Sequence, residues 1–183
     1  MEYDNLRGKL LVAHPKLGER AFSRAVVLLA AHDEAGALGL ILNRPTGLEV
    51  AEVAAPVAEL PCDGVVYEGG PVEPDGLVVL ADFLPTIEDQ LEIDGTLGLV
   101  RSDNGPPSEV APHIDQCRVY AGHAGWGPGQ LESEIAEQAW LVTDRAPGDL
   151  FGDEAETLWL RILERLGGSF AQLAHPPEDP RLN

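Results

Sequence analysis

Three apolar runs crowd the first 43 residues: 9–14 (KLLVAH), 24–31 (RAVVLLAA) and 37–43 (ALGLILN). None alternates cleanly between apolar and polar. A strand with one wet face would alternate, so these runs predict strands buried on both faces. Pro15 stops the first. The second and third are joined by His32-Asp33-Glu34-Ala35-Gly36, a polar turn that predicts a hairpin. The chain must therefore build a sheet with material packed on either side. Its 183 residues suffice for one such core, which makes a single domain over 1–183 the first expectation.

Downstream the pattern changes. Thr46 and Glu49 have capping-box spacing, and Val50, Val53, Ala54 and Val57 continue a helical face that Pro56 must shorten or kink. Residues 65–67 and 77–81 read as strands joined by a turn-rich stretch, 68–76. Residues 97–101 and 117–121 read as further strands. Residues 102–116 read as loop with a helical turn near 108–113. Residues 122–129 read as a glycine-rich loop, with Pro128 placed for a first helical position. Leu131, Ile135 and Ala139 give a narrow helical stripe, and 140–142 a short strand. Asp153 and Glu156 have the second capping-box spacing. Ala155, Leu158, Trp159, Ile162, Leu163 and Leu166 then mark the strongest helix, closed by Gly167-Gly168. The tail, 174–183, reads as flexible. Strands and helices do not alternate regularly, so an α+β fold is expected rather than a doubly wound one.

Charge narrows the function. Twelve Lys and Arg face 31 Asp and Glu, a net of −19. Residues 1–44 hold six basic and five acidic side chains, and the rest hold six and 26. That field repels phosphate backbones and anionic lipid, so direct nucleic-acid binding and membrane binding are disfavoured. No apolar run reaches the ~18–20 residues that span a bilayer. The segment MEYDNLRGKLLVAHP does not read as a signal peptide, and a cytoplasmic location is expected. On that basis Cys62 and Cys117 are expected to be reduced thiols.

Signatures of common chemistry are missing. There is no P-loop, dinucleotide fingerprint, HExxH, paired CxxC or G-x-S-x-G. No cofactor or metal is expected. Cys117 and His123 are the nearest approach to a ligand pair. Three Gly/Pro-rich segments carry the unusual residues: Asn43-Arg44-Pro45, Gly69-Gly70-Pro71, and the 122–130 run with His123, Gly125, Trp126 and Gln130. Each has a structural reading as a corner, turn or ion pair. Each also has a functional reading as a contact for an unknown protein or small-molecule partner. His14, His32 and His123 sit at strand ends or turns. A histidine there can act as a base, or simply hydrogen-bond backbone.

The same segments resemble the YqgE/AlgH family of bacterial proteins. The matching pieces are GKLLVAHP (8–15), Phe22-x-Arg24-x-Val26-Val27, and the G-x-x-G-x-x-x-N-R-P pattern from Gly36 to Pro45. YEGGPV (67–72), GHAGWGPGQLESEI (122–135), DLF (149–151) and the Trp159 helix also match. The resemblance covers about 8–171, with the 102–116 segment shorter than usual. It implies an α+β fold with coiled, mixed β-sheets and no established activity. Members are often labelled transcriptional regulators, through a link to alginate production in one branch. The leading expectation is a non-enzymatic binding or regulatory protein. The alternatives are an enzyme of unknown class with a His123/Arg44 site and, ranked below it, a transcriptional regulator that would need a basic face built from residues 1–44.

Overall fold

The computed structural model describes residues 5–17, 20–85, 91–100 and 105–174. Among the described residues ten strands form one connected sheet. They are β1 Leu10–Ala13, β2 Val26–Asp33, β3 Gly36–Ile41, β4 Pro45–Glu49, β5 Cys62–Glu68, β6 Val72–Phe83, β7 Leu91–Asp94, β8 Leu97–Leu99, β9 Ile114–Trp126 and β10 Trp140–Thr143. The main order is β10-β1-β2-β3-β9-β6-β8-β7, with β5 pairing β9 and β4 pairing β5. The β5–β9 pair is parallel and the others are antiparallel. Among the described residues five short α-helices flank the sheet: α1 Val50–Val53, α2 Pro107–Val110, α3 Gln130–Ala136, α4 Leu158–Leu166 and α5 Gly168–Ala174. This is the expected α+β fold with mixed pairing.

The unbroken apolar runs are explained by two cores. Leu10, Val12, Val26, Leu28, Leu40 and Leu42 pack on one face, against Leu158, Trp159, Ile162 and Leu163 of α4. Leu11, Ala13, Val27, Leu29 and Ile41 pack on the other, against Trp126, Leu131 and Trp140. Each fully buried Leu or Ile contributes roughly 1.5–3 kcal/mol, so neither face can be given up. A third cluster covers β5, β6 and β9 with Val50, Leu60 and Val110.

Several boundaries differ from the sequence reading. Thr46 caps no helix. It lies in β4, where its hydroxyl donates to Val66 O at 2.7 Å and accepts from Leu48 N. Pairing with β5 overrides the local capping signal. The turn-rich 68–76 stretch is mostly strand, since β6 starts at Val72 and tolerates its turn residues at a register shift between Val72 and Leu77. Residues 114–116 are strand, not loop, and α2 and a 3-10 turn occupy 107–113. Residues 122–126 are not a loop either: β9 runs on through them to Trp126. Pro128 precedes the helix, which begins at Gln130 behind a left-handed Gly129, φ 72. Gln138, φ 61, closes that segment before Ala139. Helix α4 starts at Leu158 after a 3-10 turn and has no side-chain cap, so the Asp153/Glu156 signal is not used. Strand β7 and helix α5 had no clear sequence signal. Arg101, residues 102–104 and the tail from 175 lie outside the described residues.

The largest correction concerns the cysteines. Cys62 and Cys117 are joined by a disulfide across the parallel β5–β9 pair, where they are register partners with Cα atoms 4.4 Å apart. A separation of 55 residues hides that juxtaposition from the sequence. Closing a loop of that size is worth about 4 kcal/mol on the chain-entropy account.

Candidate functional site

The Asn43-Arg44-Pro45 segment leaves β3 and enters β4. Asn43 Oδ1 accepts from Val26 N at 2.9 Å, and its Nδ2 donates to Arg24 O at 2.9 Å. The side chain thus replaces a strand partner and holds the start of β2. The Arg44 guanidinium donates to Ala21 O at 2.5 Å, Ser23 O at 3.1 Å and Glu68 Oε1 at 3.4 Å. It clamps the 20–24 turn to the sheet. Arg24 itself is left-handed, φ 53, and its guanidinium carbon lies 5.4 Å from the Trp159 ring centroid.

Gly69 and Gly70 meet the end of β9 backbone to backbone. A Cβ on Gly69 would fall 2.2 Å from Gly122 O, and one on Gly70, φ 152, would fall 2.2 Å from His123 C. No side chain fits such an approach. Gly69 also bridges two strands, accepting from Ile41 N at 2.9 Å and donating to Ala121 O at 2.8 Å. Two of the three expected segments are therefore one corner. Pro71, Val72 and Gly125 are exposed on it, with Val72 39% exposed. His123, half-buried, is the register partner of Val72. Among the described residues its imidazole has no hydrogen-bond partner.

Trp126 faces inward. It is 6% exposed and forms an aromatic cluster with Phe22 and Trp140, with ring centroids 5.5 to 6.1 Å apart. Glu134 Oε2 accepts from both indoles, Trp126 Nε1 at 2.9 Å and Trp140 Nε1 at 2.8 Å. Gln130 Oε1 accepts from Gly127 N, and its Nε2 donates to Glu134 Oε1. The glycine-rich run is thus held by a short polar network behind α3.

His32 and His14 are occupied. Buried His32 accepts from Leu6 N at Nδ1, 3.0 Å, and its Nε2 donates to Glu132 at 2.7 Å. His14 Nδ1 accepts from Lys16 N. Burial, then the Lys16 charge, holds its imidazole below the ordinary range. His123 and Cys117 share β9, but Cys117 is spent in the disulfide. Among the described residues no cluster of three or more His, Cys, Asp or Glu side chains could hold a metal.

A buried cluster escaped the sequence reading. Arg118 is 3% exposed. Its Nε donates to Asp63 at 2.8 Å, and its terminal nitrogens donate to Leu150 O at 2.9 Å and Gly152 O at 2.6 Å. The Tyr67 ring covers it at 4.6 Å, and Tyr67 Oη donates to Asp63 at 2.9 Å. Burial pushes the Tyr67 phenol up to about 12. Among the described residues Tyr120 Oη is buried without a hydrogen-bond partner. Buried Asp149 takes a bidentate pair from Arg165 and accepts from Ala146 N at 2.7 Å, which shapes the 146–152 loop that Arg118 grips. The signal available was a charged residue inside the otherwise apolar 117–121 run, but its partners lie 55 and 32 positions away.

Open cavities lie elsewhere. One of 540 Å³ is lined by Asp82, Asp94, Thr96, Gln116, Arg145 and the 146–152 loop. Another of 440 Å³ lies between Pro45, Tyr67 and residues 153–157. Two more, of 340 and 260 Å³, flank Cys62 and Lys9. Neither Arg44 nor His123 lines any of these four.

Fold and site together define an α+β protein of mixed-sheet architecture whose motif residues mostly hold its corners. The AlgH-like family model (DUF179) matches residues 10–171, and the chain belongs to that family. It is 43% identical over 189 residues to a UPF0301 protein of Streptomyces coelicolor, covering 100% of this chain and 97% of the relative. It is 34% identical to a UPF0301 protein of Cytophaga hutchinsonii, covering 97% and 98%. The solution structure of the Pseudomonas aeruginosa AlgH protein superposes with TM-score 0.73 at 29% identity, covering 98% of each chain. A crystal structure from Corynebacterium diphtheriae superposes with TM-score 0.82 at 24% identity, covering 95% of this chain and 99% of that one, a likeness of fold.

Proposed function

We propose that this chain is a non-enzymatic binding protein with a regulatory role in the cytoplasm, and that its contact surface is the corner where Gly69-Gly70-Pro71 packs on the end of β9. The observation that carries this reading is the contrast within the motif residues. Asn43, Arg44, Trp126 and Gln130 are committed to internal hydrogen bonds. Pro71, Val72, Gly125 and the unpartnered His123 imidazole are presented on a backbone too tightly packed to shift. A rigid platform with one apolar side chain and one unspent imidazole loses little entropy on binding. The net charge of −19 favours a partner with a basic surface and opposes nucleic acid.

The enzyme reading draws no support from Arg44, whose guanidinium already donates to Ala21, Ser23 and Glu68. The test is a photo-crosslinker at Val72, with a second at exposed Glu137 as control, followed by recovery from the native host. One protein enriched at Val72 and lost with His123→Ala supports the proposal. No enriched protein, together with small molecules that raise the Tm only when Arg44 and His123 are intact, refutes it.

A further inference from the structure

The first residues of β5 are held by side chains more than by strand pairing. The ladder with β9 is interrupted between Cys62 and Val66. Gly64 sits in that gap, exposed and left-handed at φ 82. Beside the gap the backbone supplies a bond from Cys117 N to Pro61 O at 3.2 Å. Two side-chain links fasten the segment, one on each face of β9. On one face is the disulfide, with Cys117 buried among Val50, Leu60, Val110 and Val119. On the other is the Asp63–Arg118 ion pair.

The two sulfurs are not equivalent. Cys117 is 2% exposed. Cys62 is half-buried and lines the 340 Å³ cavity with Val50, Ala58, Leu60 and Gly64. Cys62 lines that cavity and buried Cys117 does not, so Cys62 is the sulfur offered to a small thiolate entering it. Strand β4 pairs with β5, and α1 follows β4, so both depend on β5 for their attachment.

We propose that Cys62–Cys117 is a reversible redox switch, opened by a small thiol at Cys62, whose reduction loosens residues 45–62 from β9. In the first step a thiolate forms a bond to Cys62 Sγ. The Cys62–Cys117 bond breaks, and its electron pair leaves on the Cys117 sulfur, which takes up a proton from solvent. A second thiolate then attacks the sulfur of the first. Cys62 leaves as thiolate and is protonated, and the two small thiols depart as their disulfide. Two electrons pass to the protein, and the reverse sequence closes the switch. Reduction leaves Asp63–Arg118 and the Pro61 bond to hold the segment, and Val50 and Leu60 can lift from the third core cluster. The same bond explains how a cytoplasmic chain can hold a disulfide: it would track the thiol pool rather than persist.

The test uses the full chain, oxidised, with reduced glutathione as the probe. Acid quenching, alkylation and peptide mass mapping locate the first adduct, and hydrogen exchange compares residues 45–62 with 26–42. The proposal expects a reduction rate linear in glutathione and insensitive to sub-denaturing urea. It expects the adduct at Cys62, and exchange at 45–62 at least tenfold faster after reduction with 26–42 unchanged. A rate that saturates at the global unfolding rate overturns it, as does a first adduct on Cys117 or an equal rise in both segments. Failure of the chain to form the disulfide in oxidised glutathione also overturns it. The adduct is mapped on the native sequence, so poor folding of Cys62→Ser or Cys117→Ser does not blunt the test. None of these outcomes bears on the Val72 crosslink, so the two proposals fail separately.

Discussion

Glu134→Ala should destabilise the protein far more than a surface glutamate normally would. One carboxylate oxygen accepts from two indole donors, Trp126 Nε1 and Trp140 Nε1, in residues only 6% and 2% exposed. Hydrogen bonds to a charged acceptor are worth roughly 1.5–3 kcal/mol each, and stranding a buried donor costs a similar amount. Glu134 is half-buried, so water can replace part of what is lost. A net loss of about 2–4 kcal/mol follows for the pair. Urea unfolding followed by tryptophan fluorescence measures it, because two of the three tryptophans are the groups affected. The m-value should not change. Gln130→Ala removes a neighbouring bond on the same helix and should cost about 1 kcal/mol or less. A cycle with Trp126→Phe, which deletes one donor, should show coupling of about 1 kcal/mol. A loss below about 1 kcal/mol for Glu134→Ala, with no coupling to Trp126, would show that the indoles find water equally well.

Gly70→Ala should abolish soluble expression or cost more than about 3 kcal/mol, because its Cβ would sit 2.2 Å from the His123 backbone. Gly47→Ala, also left-handed but in open space, should cost about 1 kcal/mol, and equal thermal melts for the two would refute the packing account. Arg118→Met should cost about 2–4 kcal/mol by urea titration, since it leaves two carbonyls without their donor while exposed Asp63 turns to water, and near-neutral behaviour would mean the cluster is dispensable. The folded Tyr67 phenol titrates near 12 against an ordinary 10.0. The folded state therefore binds more protons than the unfolded one between those values. The stability this contributes is complete below pH 10 and lost as pH rises through 12. Ultraviolet titration at native and denaturing urea reads both pKa values, and a Tyr67→Phe chain with the same alkaline loss of stability would refute the assignment.

The fold was more legible than the site, for a physical reason. Burial on both faces writes itself into local sequence, so 10–13, 26–31 and 37–41 read correctly as strands. The strong stripe from Ala155 to Leu166 did so as a helix. Glycine misled. Gly122 and Gly125 suggested a glycine-rich loop, yet both lie in β9, and at Gly122 the reason is the backbone of Gly70, which comes too close for a side chain. Glycine signals close approach as readily as a turn, and only the partner segment, some fifty residues away, decides which. The Thr46/Glu49 spacing failed in the same way, since the Thr46 hydroxyl found Val66 O across the strand pair. Arg118, Asp63 and the disulfide were invisible because each depends on the parallel β5–β9 register, which no local pattern encodes.

That register also changes what the acidity means. Arg44, Arg118 and Arg145 donate to the carbonyls of Ala21 and Ser23, of Leu150 and Gly152, and of Gly8. Arg165 is spent on buried Asp149. Four of the twelve cations thus act as internal clamps, each also paired with one carboxylate, so the whole net of −19 falls on the other side chains. Any partner held at the Val72 corner should approach through a basic face. Its association rate should fall with salt, while the dissociation rate, set by the short-range apolar contact, should move little. Stopped-flow binding of the partner that the crosslink identifies, to the chain without the crosslinker, at 50 and 500 mM salt, roughly 14 and 4 Å of screening length, separates the two rates. A dissociation rate that rises as steeply as the association rate falls would place the binding energy in charge pairs and remove Val72 and His123 from its centre.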